Sequence, residues 1–537
     1  MECVTKSVYY NDVIQNLIVK YICAKQTYIA LLEILNRKTV MNTQFQKVSM
    51  LEKIGYSLGD CSANLVFQMM MIYQTKFYTD VFGLEGAVAG TVMLVARIAD
   101  AFVDPTVGIL SDRTKSRFGK FRPWVLWTAL PFMVFYVLAF TNPGIEDKAL
   151  VALYATISYT LLMSIYSFNN TPYSSLGGVM TSNIRERTSI TSIRFVAATV
   201  AQFVVQGLTL PLVRKFSEGG DIAHGWFCTI SLFAVIGFIF LVITFFSARE
   251  RITPPASQKT NIRQDLKDVV ASLPWRAMFI LTLFLFITLA MWGSAMNYYF
   301  ENYVDANALY DFLGKMGLVA STSSHGVWHT ILNAFGLIVS SPDKAYEVGF
   351  GVFNMLGALV QFFGVIFLSG FLSNRYGKKS VFIVCLALTT LFTALFYFPG
   401  KADVGTMFLL NFLKSLAYAP TVPLLWAMIA DVADYSEYVN NRRATGLVFA
   451  GVVFALKAGL GIGGAILGFL LSGFGYVSGA GVNQSSTAIN GIVLSSSLIP
   501  ACTFFVAVVS LYFYPITKKY NEKMQLELQS TRSKSEN

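Results

Sequence analysis

Residues 96–124 read A-R-I-A-D-A-F-V-D-P-T-V-G-I-L-S-D-R-T-K-S-R-F-G-K-F-R-P-W. The first part closes an apolar run, 87–110, and carries three charges inside it. The second part is a tight basic turn. A related stretch, S-G-F-L-S-N-R-Y-G-K-K, occupies 369–379 and closes another apolar run, 346–373. Both copies set an Asp or Asn before Arg and then a Gly-Lys pair, and six apolar runs separate them. Two six-span halves of this kind, with a cavity between them at the bilayer midplane, are a signature of secondary transporters.

Working outward, twelve apolar stretches run from 54–80 to 488–514, each long enough to cross a bilayer as a helix. Six precede the polar stretch 248–276 and six follow it. The fold class this implies is an all-α membrane protein, with twelve transmembrane helices in two six-helix bundles. Composition agrees: of 537 residues 55% are hydrophobic and 13% charged, where a soluble chain carries roughly 25% charged residues. That excludes a soluble globular enzyme. The excess of 41 Lys+Arg over 30 Asp+Glu, a net +11, is read as topology and predicts no nucleic-acid partner.

Basic residues gather after even-numbered spans, as Arg113, Lys115, Arg117, Lys120 and Arg122, then Arg375, Lys378 and Lys379, then Arg442 and Arg443. Acids gather after odd ones. The positive-inside rule then puts both termini in the cytoplasm and the chain, multi-pass, in the inner (cytoplasmic) membrane. The expected domains are a cytoplasmic N-terminal extension, 1–50, and an N-terminal bundle, 51–247. A cytoplasmic connector, 248–276, leads to a C-terminal bundle, 277–514, with an external insertion, 301–345, and a cytoplasmic tail, 515–537. The six cysteines, Cys3, Cys23, Cys61, Cys228, Cys385 and Cys502, imply neither a disulfide framework nor a zinc site.

Charges inside spans are expensive and mark function by default. Asp60 lies in the first span; Arg97, Asp100 and Asp104 lie in the second; Lys457 lies in the eleventh. Asp100 and Asp104 are four apart and share a helical face, with Arg97 one turn earlier. Two carboxylates in low dielectric require a cation between them or a proton on one. This is the electrostatics of a coupling-ion site, for Na⁺ or alternatively H⁺ or Li⁺; a static salt bridge of Arg97 with either acid is the bland alternative. Lys457, alone among apolar and small residues, is expected to approach the aspartates of the other half and couple the two. Gly119 permits the sharp turn, and Asp112 and Arg113 can pair with charges across the bundle in one conformational state, which makes them gating candidates. Arg194, at the start of the fifth span, either orients the chain or reaches the cavity.

The residues resemble the glycoside–pentoside–hexuronide:cation symporter family, melibiose-carrier-like members of the major facilitator superfamily. The signatures are E-K-I-G-Y-S-L-G-D at 52–60, F-Y-T-D-V-F-G-L at 77–84, A-R-I-A-D-A-F-V-D-P-T-V-G at 96–108, M-I-A-D-V-A-D-Y-S-E-Y at 428–438 and the lysine of F-A-L-K. The resemblance implies the major facilitator fold. It further implies cation binding at Asp100 and Asp104, sugar-hydroxyl recognition by Asp60, Arg194 and Lys457 at or beside both sites, and gate contacts by Asp431 and Asp434. Where melibiose carriers set a sugar-binding carboxylate and, four residues on, a tryptophan, this chain has Asn170 and Ser174. Asn170 still exchanges hydrogen bonds with a sugar but lacks the charge, leaving pentosides, β-glycosides and anionic hexuronides open.

The expected function is cation-coupled sugar symport by alternating access, with a small-molecule sugar, a monovalent cation and the lipid bilayer as partners, no cofactor, and the monomer as the working unit. A proton-coupled hexuronide transporter and a lysophospholipid-type lipid carrier of the same fold are the alternatives. An embedded enzyme lacks its constellation, since only His325 and His329 offer a spaced histidine pair.

Overall fold

The computed structural model describes residues 47–181, 183–217, 220–251, 262–320, 327–440, 445–479 and 481–536. Most of the N-terminal extension, the connector stretch 252–261, His325, Arg442 and Arg443 lie outside the described residues, as does the side chain of Asp112.

The chain is all-helical, with twelve spans in two six-helix bundles. The first half holds α1 (Met50–Ile72), α2 (Gly86–Arg113), α3 (Arg122–Ala139), α4 (Lys148–Val179), α5 (Ile184–Phe216) and α6 (Ile222–Ser247). The second half holds α7 (Leu273–Asn302), α8 (Pro342–Tyr376), α9 (Lys378–Leu395), α10 (Val404–Asn440), α11 (Thr445–Gly473) and α12 (Ser486–Tyr512). Within the described residues, α2 to α12 are each long and apolar enough to cross a membrane. The exception is α1, whose polar residues Asp60, Asn64 and Gln68 follow each other at intervals of four, one stripe along a single face. Polar groups in a spanning helix must turn to protein or to a water-filled cavity, and α1 packs on α5 and α6 and reaches α7. Ser49 starts α1 by accepting from the Glu52 N–H at 3.2 Å.

The two bundles meet mainly where α2 packs on α11 and α5 on α8. These pairs exchange under the repeat. Glycines set the approach: a Cβ on Gly86 would stand 2.7 Å from the Gly468 carbonyl, and one on Gly90 2.9 Å from that of Ala465. On the other pair, Gly351 leaves equally little room beside the Gly207 carbonyl. All these glycines lie toward the membrane face opposite the basic loops, called here the acidic side. Toward mid-membrane a cavity of about 650 Å³ is lined by residues between Leu94 and Asp104 of α2 and between Phe449 and Ile462 of α11.

On the basic side both copies of the repeated turn place their glycine in the left-handed region, Gly119 at φ 110° and Gly377 at φ 85°. The Glu250 carboxylate sits against Gly119 and accepts the backbone N–H groups of Lys120, Phe121 and Arg122 at 2.9, 2.7 and 2.8 Å. It thereby caps α3 as an anion at a helix N-terminus. In the second copy Lys518 packs on Gly377 and donates to the Asn374 carbonyl at 2.7 Å. Each half is thus closed by the segment that follows its own last helix. Beside Glu250, Arg251 holds Glu52 through both guanidinium nitrogens, each at 2.7 Å, which raises the Arg251 pKa and keeps the clamp charged.

The stretch 301–345 carries helices Ala306–Lys315 and Val327–Ala334. It docks on the end of α5, where Arg214 donates to the carbonyls of Gly336 and Lys344 at 2.7 and 2.8 Å.

Candidate functional site

Midway along α2 and α11 the halves exchange charge. Asp100 is fully buried and accepts from the Ser167 hydroxyl of α4 at 2.7 Å. The Lys457 ammonium lies 3.0 Å from the other Asp100 oxygen, donates to Ser167 Oγ at 3.1 Å and is ion-paired with Asp104. The ammonium thus lies within reach of three oxygens, two of them from carboxylates of the opposite bundle, and donates hydrogen bonds to Asp104 and Ser167. A compact point charge fills the place that two facing carboxylates demand. Arg97 is buried against Gly461, where a Cβ would meet its side chain, and its Nε finds no partner among the described residues. The static salt bridge weighed for Arg97 is absent among the described residues; Lys457 makes both pairs.

A second cluster lies on α1, α4 and α5. Arg194 approaches Asp60 at 3.4 Å and sits over the rings of Tyr173 and Tyr56, 5.0 and 5.5 Å from their centroids. Those rings stack 4.7 Å apart, and each hydroxyl donates to the other residue's backbone carbonyl at 2.9 Å. The tyrosine pair is rigid, and it pins the guanidinium by cation–π attraction. Asp60 and Arg194 keep 19% and 24% of their side-chain surface exposed, so a polar ligand can reach both. Tyr166 lies within electrostatic reach of Asp60 and of Asp100 and Asp104, which sets the two clusters side by side. Asn170, one turn further on α4, is half-buried and bonded to neither cluster. Its neighbour Asn169 is structural, donating to Thr128 Oγ1 at 2.7 Å.

The gating candidates lie apart from this centre. Asp431 is held by Lys378 at 2.7 Å and by Asn521, and Asp434 accepts from Gln525 at 2.9 Å. These bonds join α10 to α9 and to the tail helix, all within the second half. Arg113 is exposed at the end of α2. The pairs that cross between bundles lie instead at the midplane or on the acidic side among the described residues. There Lys76, in the short helix Gln74–Lys76 that follows α1, bridges Asp80 and Glu301 of α7, Thr79 meets the Tyr298 hydroxyl at 2.8 Å, and Tyr476 donates to Asp80 at 3.2 Å.

Ser167, Tyr56, Tyr173 and the Lys76 network escaped the sequence reading. Lys76 and Asp80 carry a legible signal, an i,i+4 pair inside the first span. Lys414, a lone lysine in the tenth span, was open to the rule that singled out Lys457. Serine and tyrosine in an apolar helix give no such signal.

A family profile described as MFS/sugar transport protein matches residues 55–340 and 320–518. The chain is 34% identical to the inner membrane symporter YicJ of Escherichia coli (strain K12) over 485 residues, covering 89% of this chain and 95% of that protein. It is 31% identical to the putative glycoside/cation symporter YagG of the same organism over 482 residues, covering 90% and 95%. Among solved structures, a bacterial homologue of the human drug peptide transporters PepT1 and PepT2 superposes with a TM-score of 0.58 at 13% identity, covering 87% of this chain and 98% of that one.

Proposed function

The chain belongs to the MFS/sugar transport protein family, multi-pass membrane transporters and not enzymes, and from that premise we propose that it imports a glycosidic sugar together with a monovalent cation by alternating access. Lys457 standing between Asp100 and Asp104 carries this reading, because an ammonium held by two carboxylates from the other half marks the place of a small cation. Arriving Na⁺, or H⁺ or Li⁺, competes with Lys457 for the same oxygens. Its binding frees the lysine and breaks the charge link between α2 and α11. Asp60 and Arg194 bond sugar hydroxyls, with Asn170 completing the polar wall from α4. Tyr166, between the clusters, transmits the presence of one ligand to the other, and such coupling is reciprocal.

The basic side is taken as cytoplasmic, with both termini there, in the inner membrane. The Lys76 network and the docked 301–345 segment, which tie the bundles on the other side, support a cycle in which this state opens to the cytoplasm. Glu250 at Gly119 and Lys378 at Asp431 make each half rigid, so that Asp112, Arg113 and Asp434 act at the rim of moving bodies. The monomer suffices for the cycle.

A lipid carrier draws support from one observation: the cavity between α2 and α11 is lined mainly by apolar groups, and Phe102 and Phe454 are exposed beside it. Uptake of a panel of glycosides, pentosides and hexuronates into vesicles, with Na⁺ and pH gradients imposed separately, decides. Gradient-driven accumulation of one class is expected; accumulation of none, with sugar failing to stimulate cation binding, would turn the assignment to the lipid.

A further inference from the structure

We propose that Lys414 and Trp292 form an anion subsite in the second half, and that the transported sugar carries a carboxylate, as a uronide does, which binds there. This rests on the sugar-transport reading above and narrows it to a substrate class.

Lys414 lies ten residues into α10, about 15 Å along it, near mid-bilayer. It is 7% exposed and lines a cavity of about 100 Å³ between the bundles, with Gln202 and Gln206 of α5 on one wall and Asn354 and Gln361 of α8 on the other. Among the described residues no carboxylate lies within ion-pairing distance and no oxygen accepts from the ammonium. It rests over the Trp292 ring, 2.8 Å from the centroid. The indole N–H of Trp292, itself buried on the same cavity, also lacks an acceptor. Ammonium and indole are donors only. Two buried donors on one cavity without an acceptor complement a group that only accepts, and a carboxylate is that group.

Charge agrees. Within the spans Asp60, Asp100 and Asp104 stand against four cations, Arg97, Arg194, Lys414 and Lys457. Asp60 is matched by Arg194 and the aspartate pair by Lys457 with Arg97 alongside, which leaves Lys414 uncompensated. A neutral sugar would bind with that charge still bare. A uronide brings the missing negative charge to Lys414, in a cavity lined from both halves.

Phenyl β-glucuronide and phenyl β-glucoside differ at one carbon, carboxylate against hydroxymethyl, and test this in counterflow with the full-length protein in liposomes. Binding of free glucuronate and glucose is followed in parallel by thermal shift. The wild type is expected to prefer the glucuronide at least tenfold in half-saturating concentration. Lys414→Arg should retain the preference. Lys414→Met, which is close in length and removes a buried charge without opening a void, should lose it while glucoside counterflow persists. A wild type that prefers the glucoside, or a Lys414→Met protein of normal melting temperature with the ratio unchanged, would overturn the subsite. If neither glycoside is transported, the sugar reading fails. The subsite is then judged on glucuronate alone: stabilisation of the wild type but not of Lys414→Met upholds it, and equal or absent stabilisation refutes it.

Discussion

Lys457 and Asp104 are tied so closely that changing either alters what the other does. Replacing Lys457 by Ala leaves Asp100 and Asp104 facing each other in low dielectric, and breaking a buried pair by removing one partner costs about 3–5 kcal/mol. The melting temperature of Lys457→Ala is therefore expected to fall in a cation-free buffer and to recover with millimolar Na⁺, whereas the wild type responds less. Its apparent Na⁺ affinity should rise about tenfold, worth about 1.4 kcal/mol, because the competing ammonium is gone. Equilibrium ²²Na⁺ binding measures this, and an unchanged affinity would refute competition. Asp104→Asn keeps size and hydrogen-bonding capacity but removes one charge. Gradient-driven sugar accumulation is expected to drop more than tenfold while counterflow, which needs no gradient, persists. That split separates lost coupling from lost binding.

At the scale of elements, the close approach of α2 and α11 depends on side chains that are absent. Gly86, Gly90 and Gly468 let two backbones touch on the acidic side, and a cavity lies beside both helices further along. A valine at Gly468 places its Cβ inside the Gly86–Gly90 backbone, and overpacking of this kind costs typically 1–3 kcal/mol. Only the state that closes this contact suffers, so Gly468→Val is expected to shift the population toward the form open on the acidic side. A cysteine placed at Ser294, which bonds the Met71 carbonyl across the bundles at 2.9 Å, should then react with a membrane-impermeant maleimide added outside. No gain in labelling over the Gly468 background would count against the assignment. The turn glycines were legible in sequence because the motif repeats and only glycine suits such a turn. Their partners, Glu250 and Lys518, were not, since they lie 131 and 141 residues away in the chain.

For the whole molecule, Lys76 between Asp80 and Glu301 ties the two bundles on the acidic side, and under the proposed alternating access this tie closes one of two states. Lys76→Met leaves two carboxylates without their cation and should open that side. Spin labels on the ends of α1 and α8 are expected to move apart, and transport to slow because the return step loses its lock. A distance distribution identical to that of the wild type would show that the lysine seals nothing. Spans, the two halves, the repeat and the charged residues of α2 and α11 were all readable in the sequence, because hydropathy and spacing act locally and a charge in a span stands out against apolar neighbours. Of the pairings, only the approach of Lys457 to the aspartates of the other half was readable, with Arg97 left as the competing partner. That Arg97 makes no such pair, that Ser167 completes the set, that Asp60 meets Arg194, and that Lys414 is left with an indole and no acid among the described residues follow from how the helices of the two bundles come together. A sequence specifies what each helix must bury, whereas pairing in low dielectric depends on distance in space, and the packing of two bundles decides that distance.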